Sequence, residues 1–146
     1  MRADPTLREA APGDVEAILG LLRAAELPLD GVPGDTDLLL VADQDGHVVG
    51  VAGIELHAGD ALLRSVAVTP EARGRRIASR LCAELERRAA ELGAARAFLL
   101  TETAETFFAQ RGYARLARGS APAGIAASRE FAAVCPASAI LMSRGL

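Results

Sequence analysis

The residues best suited to hold an anion lie together between Ser65 and Ser79, in the run Ser65-Val66-Ala67-Val68-Thr69-Pro70-Glu71-Ala72-Arg73-Gly74-Arg75-Arg76-Ile77-Ala78-Ser79. An apolar run reaches Thr69-Pro70, a turn rich in Gly and Arg follows, and a helical pattern opens at Ile77. The first amides of a helix have no partner within it, and the positive end of the helix dipole lies there, so such a turn can wrap a diphosphate. Nearby guanidiniums add charge-assisted contacts. An ordinary strand-to-helix turn with a solvated basic face has the same composition, so the stretch needs company before it means a site. No Gly-Lys-Ser/Thr follows it and no GxGxxG is present, which argues against a nucleotide-triphosphate loop and a dinucleotide fold.

Other side chains could act beside it. Glu55 is a candidate proton acceptor that by strand alternation shares a face with Val51, Gly53 and His57. The competing reading is a solvated carboxylate at a strand end. His57 and His47 sit beside turns and read as surface residues. Arg64 falls among apolar neighbours, sharing a face with Leu62, Val66 and Val68 by the same alternation. An unpaired guanidinium there is costly, so Arg64 either pairs with Glu55 or Asp60 or grips a substrate carboxylate. Ser65 reads as a bulge residue, and Arg129 as a weaker second carboxylate clamp or an exposed side chain. Thr101 and Thr103 either cap the next helix or touch substrate. Cys82 and Cys135 stand far apart, with neither disulfide nor metal spacing, and Cys135 reads as structural.

The elements that must position these residues follow from periodicity. Leu7 to Glu9 is a short strand, and Pro12-Gly13-Asp14 opens a helix with Val15, Ile18, Leu19 and Leu22 on one stripe. Leu27 to Asp35, with two prolines and two glycines, is an irregular segment lying over a site. Leu38–Ala42, Val48–His57 and Ala61–Val68 are strands joined by turns at 43–46 and 58–60, hence antiparallel. A helix spans Ile77 to Leu92, with Ile77, Leu81, Leu85 and Leu92 facing the core, Glu84 pairing with Arg88, and Gly93 ending it. Ala95–Thr101 is a buried strand, set parallel to its neighbour by the helical crossover. A short helix over Ala104–Arg111, a strand over Tyr113–Arg118, a helix over Pro122–Ala133 and a strand over Ser138–Ser143 complete the chain. The fold class is mixed α/β in a single domain over residues 1–146. A net charge of −3 gives no reason to expect nucleic acid. All 16 basic residues are Arg, which reflects a GC-rich bacterial codon bias and weakens any one Arg as a sign of a bidentate site. With no leader and no apolar run of about 20 residues, a reducing cytoplasm is the expected location.

Val66-Ala67-Val68 followed by Pro70 to Ala78 resembles the acetyl-CoA motif R/Q-x-x-G-x-G/A of GNAT N-acetyltransferases. Arg73 takes the R/Q place, Arg76 the central Gly and Ala78 the closing Gly/Ala. Phe107-Phe108-Ala109-Gln110-Arg111-Gly112-Tyr113 resembles the aromatic-x-x-x-G-F/Y block after the fifth strand. The resemblance implies the GNAT fold, a mostly antiparallel sheet of about seven strands splayed between the fourth and fifth. It implies acetyl-CoA as co-substrate and no metal. The cofactor-binding set it implies is Val66, Ala67, Val68, Arg73, Gly74, Arg75, Arg76, Ile77, Ala78, Ser79, Phe107, Phe108 and Arg111. Arg64, Ser65, Thr101, Thr103 and Arg129 are the expected substrate contacts, and a bulge aims the Val66 backbone N–H at the thioester carbonyl. The departures are Leu62 and Phe108, where many members carry a Glu and a general-acid Tyr, and Arg76 in place of glycine.

Within the family, Leu62 to Val68, Leu99 to Thr103 and the tail Ser128 to Ala139 resemble the amino-acid and arsenic-resistance N-acetyltransferase branch. That likeness implies direct acetyl transfer to the amino group of a small amino-acid-like acceptor, arsenic-containing or glutamate-like toxins among them. The alternatives are an acyl-CoA-binding sensor, motivated by Leu62 and Phe108, and a protein or peptide N-acetyltransferase. A homodimer follows from family habit alone.

Overall fold

The computed structural model describes residues 4–134 and 138–146, so Cys135 lies outside the described residues. Seven strands form one sheet: β1 (Thr6–Glu9), β2 (Leu38–Gln44), β3 (His47–His57), β4 (Asp60–Val68), β5 (Arg96–Thr101), β6 (Ala114–Leu116) and β7 (Ile140–Gly145). Their spatial order is β1-β2-β3-β4-β5-β7-β6. The turns Asp45-Gly46 and Ala58-Gly59 carry positive φ at both residues (53° and 86°, 49° and 91°). That is the geometry whose twist matches a tight hairpin, so β2–β3–β4 run antiparallel. β4 and β5 are parallel, as the helical crossover requires.

Alternation divides the strands between two faces. Leu40, Ala42, Ala52, Ile54, Leu63, Ala97 and Leu99 pack under helix α2 (Ile77–Glu91), which buries Ile77, Leu81, Cys82, Leu85 and Ala89. On the opposite face Leu39, Val41, Val51 and Ala67 meet Ile18 and Leu22 of α1 (Val15–Ala24). Leu62, Phe98 and Leu141 meet Ile125 of the one-turn α4 (Ala123–Ala126), while α3 (Glu105–Gln110) tucks Phe108 under the first face. Each fully buried leucine or isoleucine contributes roughly 1.5–3 kcal/mol.

Three expectations are corrected. Leu92 is 60% exposed: the chain leaves the helix there, and past Gly93 it is Ala94 that enters the core. Pro122–Ala133 is not one helix but α4 and a separate π-helical turn over Glu130–Val134. The hydroxyl of Ser128 donates to the carbonyl of Ile125 (2.7 Å) and accepts from the Phe131 N–H (3.2 Å), offering the backbone a local alternative to continuing the helix. The third concerns β4. Ser65 has φ +60°, and the β3–β4 register slips there, with Gly53 opposite Arg64 and Val51 opposite Ala67. This bulge inverts the alternation. Arg64 keeps the face of Leu62, whereas Val66 and Val68 turn to the α2 side.

Candidate active site

The bulge is the first of two features that open the sheet. β4 pairs with β5 only from Asp60–Arg96 to Leu62–Phe98, after which the two strands diverge. Beyond Leu62 the β5-facing edge of β4 lines a cleft of about 930 Å³. Its walls carry Leu63 to Val68 from β4, Leu100 to Ala104 from the end of β5, and Phe107 and Phe108 from α3. Arg73 and Ala78 stand at the α2 end, and Glu26, Leu27 and Pro28 reach the cleft from the segment after α1.

At the α2 end the Arg-rich turn leads directly into the helix. At the start of the helix the Arg80 N–H donates to the Arg76 carbonyl (3.0 Å). Among the described residues no side chain caps the helix and no acidic residue stands in its first turn, so the amides of Ile77, Ala78 and Ser79 keep their donors. Arg76 adopts the left-handed conformation (φ 60°, ψ 22°), the conformation that favours the glycine its place customarily holds. Val66, Ala67, Val68, Arg73, Ala78, Phe107 and Phe108 of the expected cofactor set line the cleft. Gly74, Arg75, Arg76, Ile77 and Ser79 are not among its lining residues, and Ile77 is buried in the core. Arg111 faces elsewhere: it donates to Glu86 (2.5 Å), which also accepts from the Tyr113 hydroxyl (2.8 Å). Tyr113 is 3% exposed and belongs to the core.

The far end is built around Arg64, whose side chain has no exposed surface. Its Nη1 donates to Glu55 (2.7 Å), its Nη2 to the carbonyl of Asp30 (2.6 Å) and its Nε to Ser65 Oγ (3.1 Å). Glu130 Oε1 lies 3.3 Å from the same Nε. Gly31 (φ +77°) permits this: a Cβ there would stand 3.0 Å from Arg64 Nη1 and 2.5 Å from Asp35 Oδ2. Glu55 is 3% exposed, not solvated at a strand end, and its second oxygen lies 2.9 Å from His57 Nε2. It does not line the cleft. Of the two readings of Arg64, pairing with Glu55 is the arrangement present. Arg129 is 61% exposed at its side chain, pairs with Asp35 (3.0 Å) and lies off the cleft.

Ser65, Thr101 and Thr103 do line the cleft. Ser65 Oγ accepts from Arg64, and Thr101 Oγ1 accepts from the Ala104 N–H (3.0 Å), so each hydroxyl keeps its own proton to donate. Sequence reasoning missed Glu130. It is 4% exposed yet lines the cleft, and burial pushes its carboxyl up to about 7, with Arg64 opposing the rise and Glu55 reinforcing it. No local signal marks it, because the partner that holds it is Arg64 on a distant strand.

The acetyltransferase (GNAT) domain family matches residues 35–115, more than half of the chain, and the chain belongs to that family. No curated protein sequence matches it. Among solved structures, N-acetylglutamate synthase from Neisseria gonorrhoeae, complexed with coenzyme A and N-acetyl-glutamate, superposes with a TM-score of 0.85 at 21% identity over 100% of this chain. The chain spans only 36% of that protein's length. Rv2747 from Mycobacterium tuberculosis, in complex with CoA and NLQ, gives a TM-score of 0.82 at 24% identity, covering 97% of this chain and 99% of its own. An aminoglycoside 6'-N-acetyltransferase complexed with coenzyme A gives 0.73 at 16% identity over 96% of each chain.

The mixed seven-stranded sheet with its parallel β4–β5 pair is the fold of that family. The residues present fit coenzyme A, the ligand of those solved neighbours: open amides at the α2 N-terminus for the diphosphate, and an unpaired β4 edge for the pantetheine amides. Among the described residues no group of three or more His, Cys, Asp or Glu could hold a metal ion, and no helix is long and apolar enough to cross a membrane.

Proposed function

We propose that the protein transfers the acetyl group of acetyl-CoA to the amino group of a small amino-acid-like acceptor, within a single ternary complex. The observation that carries this reading is the continuous cleft from the α2 N-terminus to Ser65, Thr101 and Glu130. A diphosphate held at one end and an amine at the other place the thioester beside the β4 bulge. Preorganised amides aimed at a carbonyl oxygen stabilise the charge that develops on it, and the Val66 N–H beside the bulge is assigned that role in this reading. Holding both reactants in one cleft supplies much of the remaining barrier reduction, roughly 7–11 kcal/mol for well-oriented partners. The acceptor carboxylate finds its donors in the Ser65 and Thr101 hydroxyls, since Arg64 is enclosed by Glu55 and the Asp30 carbonyl. The bound ligands named for the Neisseria and Mycobacterium neighbours support a small acceptor.

The test is thiol release from acetyl-CoA across a panel of amino acids, arsenic-containing and glutamate-like analogues, polyamines and peptides. Turnover on amino-acid-like amines is expected, with Ser65→Ala raising KM about tenfold for carboxylate-bearing acceptors and less for simple amines. Coenzyme A binding with no thiol release on any amine would instead favour the sensor.

A further inference from the structure

We propose that Glu130 is the group that takes the proton from the acceptor's ammonium. This rests on the acetyl-transfer reading and assigns it a catalytic residue. Two family positions for proton transfer hold groups that cannot do it: Leu62 is fully buried and apolar, and Phe108 is a hydrocarbon ring against Tyr113 and Phe107. Of the carboxylates near the bulge, Glu55 is shut away from the cleft behind Arg64, whereas Glu130 opens onto it. Glu130 Oε1 and Ser65 Oγ lie 3.3 and 3.1 Å from one nitrogen of Arg64, which fixes the carboxylate next to the strand residue preceding Val66. Glu26 and Glu102 also line the cleft, but both stand toward the solvent side and Glu102 accepts from the Ser138 hydroxyl (3.0 Å).

The charged groups facing Glu130 are Arg64 from β4 and, behind it, Glu55 from β3 with His57 beside it. Burial and Glu55 make the carboxylate a stronger proton acceptor, while Arg64 keeps it ionisable near neutrality. In the step, the ammonium gives one proton to Glu130, and the freed lone pair forms the N–C bond to the acetyl carbon. The C–S bond breaks, and the second proton lost by nitrogen ends on sulfur, giving the amide and free coenzyme A thiol. Glu130 then releases its proton to water.

The experiment compares the wild-type enzyme with Glu130→Gln and Glu130→Asp by thiol release from pH 6 to 10, with coenzyme A affinity measured by calorimetry on each. The expected result for Glu130→Gln is a fall in kcat of about 100-fold at pH 7, unchanged coenzyme A affinity, and a defect that shrinks toward pH 10 where the amine is already neutral. Glu130→Asp should retain an intermediate rate with the wild-type pH dependence. A Glu130→Gln rate equal to wild type at pH 7, or a deficit of the same size at every pH, overturns the role of Glu130 and leaves acetyl transfer standing. A wild-type protein that binds coenzyme A but releases no thiol on any amine overturns both.

Discussion

At the scale of single residues, Arg64 and Arg76 show how differently two arginines of one strand-turn-helix unit behave. Arg64 is enclosed, with three parts of the chain accepting from it. Arg64→Ala leaves the buried Glu55 and Glu130 without their shared counter-charge, and should cost about 3–5 kcal/mol of stability, measured by denaturant unfolding. A loss under 1 kcal/mol would mean that the ion pair is not formed. Arg76 sits with left-handed backbone. Arg76→Gly should therefore stabilise the fold by roughly 1 kcal/mol and tighten coenzyme A severalfold, since it removes both the strain and a side chain from the turn. Neither arginine was fully legible in the sequence. Alternation placed Arg64 among apolar neighbours and offered Glu55, Asp60 or a substrate carboxylate as its partner, but could not supply Asp30 or Glu130, which come from the segment after α1 and from the π-helical turn.

At the scale of elements, the bulge and the β4–β5 splay together make the cleft, and the first is testable at one position. Ser65→Val puts a β-branched residue at φ +60°, so the bulge must flatten or the chain must absorb about 1–3 kcal/mol of strain. Expected are a lowered Tm and weakened coenzyme A binding together; an unchanged Tm and affinity would show that the bulge does not shape the site. Strand and helix identities were legible because apolar runs bounded by turn residues marked β2 to β4 and a period of 3.6 residues marked α2. The parallel β4–β5 pair followed from the crossover helix. Legibility failed where one residue diverted the backbone: the bulge reversed the faces of Val66 and Val68, the Ser128 hydroxyl broke the expected tail helix, and the Gly93 turn exposed Leu92.

At the scale of the whole molecule, the Glu130 pocket links stability to pH. The native carboxyl holds its proton up to about 7, above the ordinary value of 4.5, so between those values the folded state binds a proton that the unfolded chain gives up. Its contribution to stability is present in full below about pH 4.5 and is lost as pH rises toward 7 and above, by up to ~3 kcal/mol. The difference in Tm between wild type and Glu130→Gln measured from pH 5 to 8 isolates this effect. Wild type should fall relative to the variant as pH rises, and a constant difference would contradict the buried, ionising carboxyl. Assembly of the cleft is likewise a property of the whole chain: the Arg-rich turn marked its α2 end in the sequence, whereas its far end joins residues from β4, β5 and the π-helical turn.

The most direct test of the account is a crystal structure of the protein soaked with coenzyme A. The predicted result is the diphosphate on the amides of Ile77, Ala78 and Ser79, the pantetheine along Val66 to Val68, and the thiol beside Ser65 and Glu130. An empty β4–β5 cleft at saturating coenzyme A, or the ligand held elsewhere on the surface, would contradict it.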